Sequence, residues 1–276
     1  FTAVVERKEG SARHDHYEAR RVALNEAIER TWRGDRYLRA IHDDGTEIGV
    51  KGSGVWEIDA LTAAWAVMSG VNPERGRIVF ETALAILEQE KTILLGWPPL
   101  REDTQPYLGR SSWYPEGVRE NGMYCHGVQW LVGAARILSE QRGRQGDAEG
   151  AKSYVETAYR LWRKISSIPH AKTGEIEVFG GQPNQQAADM VTTFDPGRMI
   201  WNGYTGAAGW MLRQALEGVL GRRLKAGAVV DPSAPETPAE LGVVHVSRDV
   251  GRSPFPDAPE ADATLDPAPS DTRTRS

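Results

Sequence analysis

The chain has 276 residues, 40% of them hydrophobic and 26% charged, with a formal net charge of -5, which suits one large domain with a substantial core or two modest ones. No basic excess advertises nucleic acid or anionic lipid, and no apolar run approaches the ~20 residues of a membrane helix. The single cysteine, Cys125, excludes an internal disulfide and points to a reducing compartment, with the cytoplasm as the default location.

The chain starts at Phe1, without methionine or a signal-peptide pattern, and Phe1, Val4 and Val5 before Arg7, Lys8 and Glu9 read as the middle of a helix. A fragment of something longer is the expectation. Tyr17, Val22, Leu24, Ala27, Ile28 and Trp32 predict a helix over about His16 to Arg33, with Gly34 as its stop. Asp43-Asp44-Gly45-Thr46 separates two short strand-like runs and predicts a small hairpin. Helices follow at about Ile58 to Ser69 and Pro73 to Gln89, the second with Asn72 as N-cap and Pro73 at its first position.

A long loop is expected from Thr92 to Gly122, a length that is often functional. Apolar helices come next, near Met123 to Arg142 and Glu149 to Ile165. An irregular stretch from Thr173 to Tyr204 precedes a last helix at Thr205 to Leu220, whose core face should be Ala208, Met211, Leu212, Ala215, Leu216 and Val219. After Gly221 the pattern changes. Leu224 to Val230 and Gly242 to Val246 suit short strands, and from about Gly251 the Pro, Asp, Ala, Ser and Thr content predicts a disordered tail.

The run WYPEGVRENGMYCH, Trp113 to His126, concentrates Tyr114, Glu116, Arg119, Glu120, Asn121 and His126 among turn formers, as binding loops do; a solvated charged loop is the alternative. Thr205 and Gly206 fall at a helix N-terminus, where unpaired N–H groups and the helix dipole favour an anion. Thr205 as an ordinary N-cap is the plainer option. His126 lies outside the stripe of Val128, Leu131, Ala135 and Leu138 and should face the helix entrance, where with Arg119 it adds donors for a phosphate. A satisfied structural histidine fits equally.

Glu116, Glu120, Glu175, Glu177, Asp189 and Asp195 are candidate acids or bases, which spacing does not pair. Trp56, Trp65, Trp97, Trp113, Tyr114, Tyr124, Trp130, Trp201, Tyr204 and Trp210 suit stacking on sugars or packing in a core. No CxxC pair, HExxH, P-loop or GxSxG is present, so metal, nucleotide and serine-hydrolase chemistry have no motif behind them.

Four ordered blocks carry a resemblance: WRGDRYLRAIHDDGTEIG (Trp32 to Gly49), IDALTAAWAVMSG (Ile58 to Gly70), the Trp113 to His126 run, and WNGYTGAAGWMLR (Trp201 to Arg213). With them the chain resembles the C-terminal part of the catalytic domain of glycoside hydrolase family 94, which holds cellobiose and chitobiose phosphorylases and the phosphorylase-like domain of cyclic β-1,2-glucan synthases. The resemblance implies an all-α fold: a partial (α/α)6 barrel over 1–221 with a small β-hairpin, then a short β-like closing segment over 222–250 and the disordered tail over 251–276. It implies inverting phosphorolysis of a β-glucoside to an α-sugar 1-phosphate, with inorganic phosphate as co-substrate and no cofactor or metal.

By the same resemblance, His126, Thr205 and Gly206 hold phosphate, and Tyr114, Arg119 and Glu120 line the sugar subsites. Two departures stand out. One residue fewer than in the family separates Glu120 from His126, and the family's general acid, an aspartate in a D-W-N-D-like motif, has no counterpart here. That acid is expected upstream of residue 1, in the missing N-terminal part of the same protein, leaving this chain incomplete for catalysis. The expected partners are a β-linked glucoside or oligosaccharide, phosphate and that N-terminal part, with a homodimer left open. An inverting hydrolase on the same barrel and a non-catalytic glycan-binding or scaffold domain are the competing expectations.

Overall fold

In a computed structural model, residues 11–171, 174–225, 228–230 and 237–241 are described. The first helix, α1 (Ser11–Glu29), stops short of the expected Arg33 and buries none of its residues. Val22 and Leu24 of its expected apolar stripe stay exposed. Glu29 closes the helix by serving its neighbours: it accepts hydrogen bonds from Tyr37 Oη at 2.5 Å, Asn72 Nδ2 at 3.0 Å and Arg75 Nη1 at 2.9 Å. The predicted hairpin forms from β1 (Ala40–Ile41) and β2 (Glu47–Ile48), with Ala40 opposite Ile48.

A short strand, β3 (Ile58–Asp59), leads into α2 (Ala60–Ser69), and Asp59 is the N-cap, accepting from Thr62 N at 2.7 Å. Helix α3 (Pro73–Leu87) starts as predicted, with Asn72 capping Arg75 N. The two helices bury Ala60, Ala63, Ala64 and Val67 against Val79, Phe80, Ala83 and Leu87. Burial of Phe80 or Leu87 contributes about 2–3 kcal/mol each.

The middle of the core is α4 (Cys125–Arg144), whose buried residues include Val128, Gln129, Leu131, Val132, Ala135, Arg136 and Leu138. It packs on α5 (Ala148–Ile165), capped by Asp147 and buried through Ala151, Val155, Ala158, Leu161 and Ile165, the three-and-four spacing of a single-sided helix. Short helices α6 (Ser167–His170) and α7 (Ile176–Phe179) follow.

The stretches expected to be irregular contain small sheets. Strand β4 (Gly96–Trp97) pairs with β3, bringing Ile58 opposite Trp97. A methyl group on Gly96 would overlap the buried Trp56 indole, so only glycine lets that ring lie across the strand. Met123 and Tyr124, expected to be helical, form β5 (Met123–Tyr124), which pairs with β6 (Ala187–Met190) and through it with β7 (Met199–Asn202).

The last helix, α8 (Thr205–Gln214), widens into a π-helical turn at Ala215–Val219. Its buried face is Ala207, Met211 and Gln214, whereas Ala208 and Leu212 of the expected stripe are exposed. One hydrogen bond and one close packing contact set this rotation: Gln129 Nε2 donates to Ala207 O at 2.9 Å, and the buried Gln214 side chain packs over Gly133 of α4. Arg136, buried in α4, then donates to the carbonyls of Gly218 (2.8 Å) and Val219 (2.5 Å), which holds the widened turn. A hairpin of β8 (Arg223–Lys225) and β9 (Ala228–Val230) follows. The helix expected at Phe1 to Glu9, the strand at Gly242 to Val246 and the tail from 251 lie outside the described residues.

Candidate functional site

The β5–β6–β7 sheet is the platform of the site, because its register sets Tyr124 opposite Asp189 and Asp189 opposite Ile200. The loop before β5 is fastened by Asn121. Its Oδ1 accepts from Leu100 N at 2.8 Å, and its Nδ2 donates to the carbonyls of Leu100, Ser111 and Tyr114 at 2.9, 3.3 and 2.7 Å. A buried amide therefore holds Tyr114 and a 3-10 turn at Arg119–Asn121 in place. Gly117, at φ 94, lies where a methyl group would strike Thr193 Oγ1, so the loop seats directly on the segment after β6.

Beside this platform lies a cavity of about 330 Å³ lined by Arg39, Trp56, Arg119, Glu120, Tyr124 and Asp189, among others. Arg119 reaches Asp189 Oδ2 at 3.7 Å and Glu120 Oε2 at 3.9 Å, and its guanidinium sits 4.8 Å from the Trp201 ring and 5.4 Å from Tyr114. Asp189 is 1% exposed, and neither of its carboxylate oxygens has a hydrogen-bond partner, nor does Glu120 Oε2. Burial pushes the Asp189 carboxyl up to about 6, Arg119 pulls it down, and the neighbouring Glu120 charge adds to the rise. Trp56, Arg119 and Trp201 all have positive φ (38, 52 and 50). Such strain in non-glycine residues costs roughly 1–3 kcal/mol each and gathers at functional sites.

His126, the second residue of α4, is half-buried among Tyr124, Trp130 and Trp210, with ring centroids at 5.8, 5.1 and 6.1 Å. Its Nδ1 lies 3.4 Å from Tyr124 Oη, and its Nε2 is buried without a partner. Burial lowers its pKa below the usual histidine value, which favours the neutral ring. Across from it, Thr205 is the first residue of α8 and Tyr204 occupies the N-cap without a side-chain bond, so Thr205 is not the N-cap. Thr205 and Gly206 are exposed, and a methyl group on Gly206 would lie 3.6 Å from His126 Cε1. The uncapped first turn of α8 and the histidine ring are thus neighbours across the two helix starts.

Of the six carboxylates singled out in the sequence, Glu120 and Asp189 meet at the cavity. Glu116, Glu175, Glu177 and Asp195 are exposed, with Asp195 pairing to Arg198 and Glu175 to His170. Tyr114, Arg119 and Glu120 converge as their shared loop suggests. Trp56 is one of the aromatics the sequence offers for sugar stacking, nothing in the sequence marks Arg39 as a lining residue, and Asp189 is placed by strand register, which only the Pro196-Gly197 turn between two apolar runs foreshadows. A larger cavity of about 420 Å³ lies along α5, lined by Tyr159, Arg160, Arg163, Lys164 and His170. Arg160 and Lys164 there are engaged by Glu88 and Arg163 by Glu240, while Lys91 also lines the cavity. Among the described residues no helix is long and apolar enough to cross a membrane.

Comparison with known proteins adds to this geometry. The profile described as "Glycosyl hydrolase 94 superfamily, catalytic domain" matches residues 1–221. The chain is 33% identical over 207 residues to the cyclic beta-(1,2)-glucan synthase NdvB of Rhizobium meliloti (strain 1021), covering 73% of this chain and 7% of that protein. Two proteins of Paenibacillus borealis are also similar. One is a 3-O-beta-D-glucopyranosyl-beta-D-glucuronide phosphorylase, at 30% identity over 79% of this chain and 26% of that protein. The other is a solabiose phosphorylase, at 29% identity over 72% of this chain and 24% of that protein. The chain spans between 7% and 26% of the length of these relatives.

Proposed function

Since the chain belongs to the glycosyl hydrolase 94 superfamily, whose barrel its mostly helical fold suits, we propose that it supplies the phosphate-binding and sugar-lining part of a glycoside phosphorylase. The observation that carries this reading is the approach of His126 to the uncapped α8 start at Thr205 and Gly206, beside the cavity of Arg119, Glu120 and Asp189. The first-turn N–H groups of α8, the Thr205 hydroxyl and a His126 N–H offer converging donors to a tetrahedral anion, and the helix dipole adds to the attraction. Glu120, Arg119 and Tyr114 take the sugar. Inorganic phosphate attacks the anomeric carbon from the face opposite the leaving oxygen, which inverts the configuration and yields an α-sugar 1-phosphate. Protonation of the leaving oxygen falls to an aspartate outside residues 1–276, and the chain alone is proposed to bind without turning over.

One observation favours a second reading. Asp189 is a buried carboxyl without a hydrogen-bond partner, pushed by burial up to about 6, the kind of group an inverting hydrolase uses to activate water. The test is a chain extended upstream, assayed with several β-glucobioses. Phosphate-dependent release of sugar 1-phosphate is the expected result; free sugar without phosphate selects the hydrolase, and no product of either kind overturns both. In the 276-residue chain, Thr205→Val and His126→Ala should each weaken phosphate binding by roughly tenfold, as lost hydrogen bonds to a charged ligand do, read by calorimetry. Unchanged affinity makes both residues structural.

A further inference from the structure

Helices α4 and α8 run in the same direction and meet along one stripe of α4. His126 stands against Gly206, Gln129 against Ala207, Gly133 against Gln214, and Arg136 against Gly218 and Val219. These α4 positions follow one another at intervals of three and four residues, as one face of a helix requires. Two neutral amides in the contact, Gln129 and Gln214, are only 0% and 2% exposed. Gln129 Nε2 donates to Ala207 O at 2.9 Å and stands 3.9 Å from Met211 Sδ, while its Oε1 is buried without a partner.

A buried amide left half-satisfied is a poor choice for stability alone. Its orphaned oxygen has given up hydration that the bond made by its nitrogen does not restore, and an unbranched methionine would fill the gap with no such oxygen to bury. What only the amide supplies is a donor of fixed reach aimed at one carbonyl of α8. That carbonyl belongs to the residue after Gly206, and the donor lies three residues after His126. The bond therefore ties the two helices where the His126 ring and the first turn of α8 adjoin, whereas the Gly133 and Arg136 contacts lie further along.

We propose that Gln129 is a positioning residue for the anion: it holds the first turn of α8 at the separation from His126 that lets both reach one phosphate. It acts through Ala207 O and touches no ligand itself. The inference rests on the phosphate-binding reading given above and adds the residue that sets the width of that site.

The experiment titrates inorganic phosphate into the 276-residue chain and its variants by calorimetry, beside denaturant unfolding of each. Gln129→Met should weaken phosphate binding about tenfold, since small displacements of positioned groups are costly, with an unfolding midpoint equal to or above that of wild type. A merely structural residue would lose stability and affinity together. Gln129→Glu keeps the reach of the side chain and donates only when protonated. Burial raises such a carboxyl, and the groups its side chain meets on α8, Ala207 and Met211, do not titrate. Its phosphate affinity relative to wild type, compared at each pH between about 5.5 and 8.5 so that the titration of phosphate cancels, should recover towards one at the acid end.

Unchanged affinity in Gln129→Met, a loss of affinity matched by a loss of stability, or a Gln129→Glu ratio that stays flat with pH overturns the positioning role. If Gln129→Met does not fold, the Gln129→Glu ratio decides. Weakened binding in Thr205→Val with wild-type affinity in both Gln129 variants leaves the phosphate site standing and removes Gln129 from it. A wild-type chain that binds no phosphate removes both.

Discussion

Asp189 shows what one buried carboxylate does to a site. Its titration at about 6, against an ordinary value of 3.8, means that between these pH values the folded chain keeps a proton the unfolded chain has lost. Stability from this group is therefore intact below about pH 3.8 and is lost as pH rises from there through about 6, by roughly 3 kcal/mol in full. Asp189→Asn should be more stable than wild type at neutral pH by up to about that amount, with the advantage gone near pH 4. Denaturant unfolding at a series of pH values reads the difference, and a pH-independent offset would contradict the charge-burial origin of the shift. The residue stands in the sequence as one carboxylate among six. Its distinction comes from burial beside Arg119 and Glu120, in a position set by strand pairing with Tyr124 that no local pattern encodes.

At the scale of elements, the loop from Trp113 to His126 owes its order to a residue that makes no charge of its own. Asn121 ties the backbone at Leu100, Ser111 and Tyr114 through one side chain. Asn121→Ala should cost roughly 2–4 kcal/mol, because it leaves buried backbone groups unpaired as well as deleting bonds. The same change should weaken sugar binding by releasing Tyr114; an unfolding midpoint within error of wild type would show that the loop is held otherwise. Helix starts at Pro73 and the Asp44-Gly45 turn were legible because caps and turns are written in adjacent residues. The β6–β7 hairpin was not. Ala187 to Met190 are buried on both faces and show no alternation from which a strand can be read.

Over the whole molecule, the helical class and the density of the Trp113 to His126 run were readable from composition and motif order, whereas the rotation of α8 was not. Leu212 looks like a core residue in any helical projection and is 66% exposed, because the Gln129 hydrogen bond to Ala207 O and the packing of buried Gln214 over Gly133 dock the helix in a way that apolar periodicity ignores. That docking runs along α4, which carries His126 at its start and Gly133 under Gln214 two turns later. A methyl group on Gly133 would sit 3.0 Å from Gln214 Nε2, tight enough that the buried amide packing α8 on α4 has to give by a few tenths of an ångström. Gly133→Ala should leave the melting temperature nearly unchanged while weakening phosphate binding by about three- to tenfold, since small displacements of positioning groups cost heavily. Equal phosphate affinity in calorimetry would uncouple the two helices. In the proposed phosphate site the pair would work as a caliper, with His126 and Gly206 as its jaws and the Gly133–Gln214 contact between the same two helices as the screw that sets their separation.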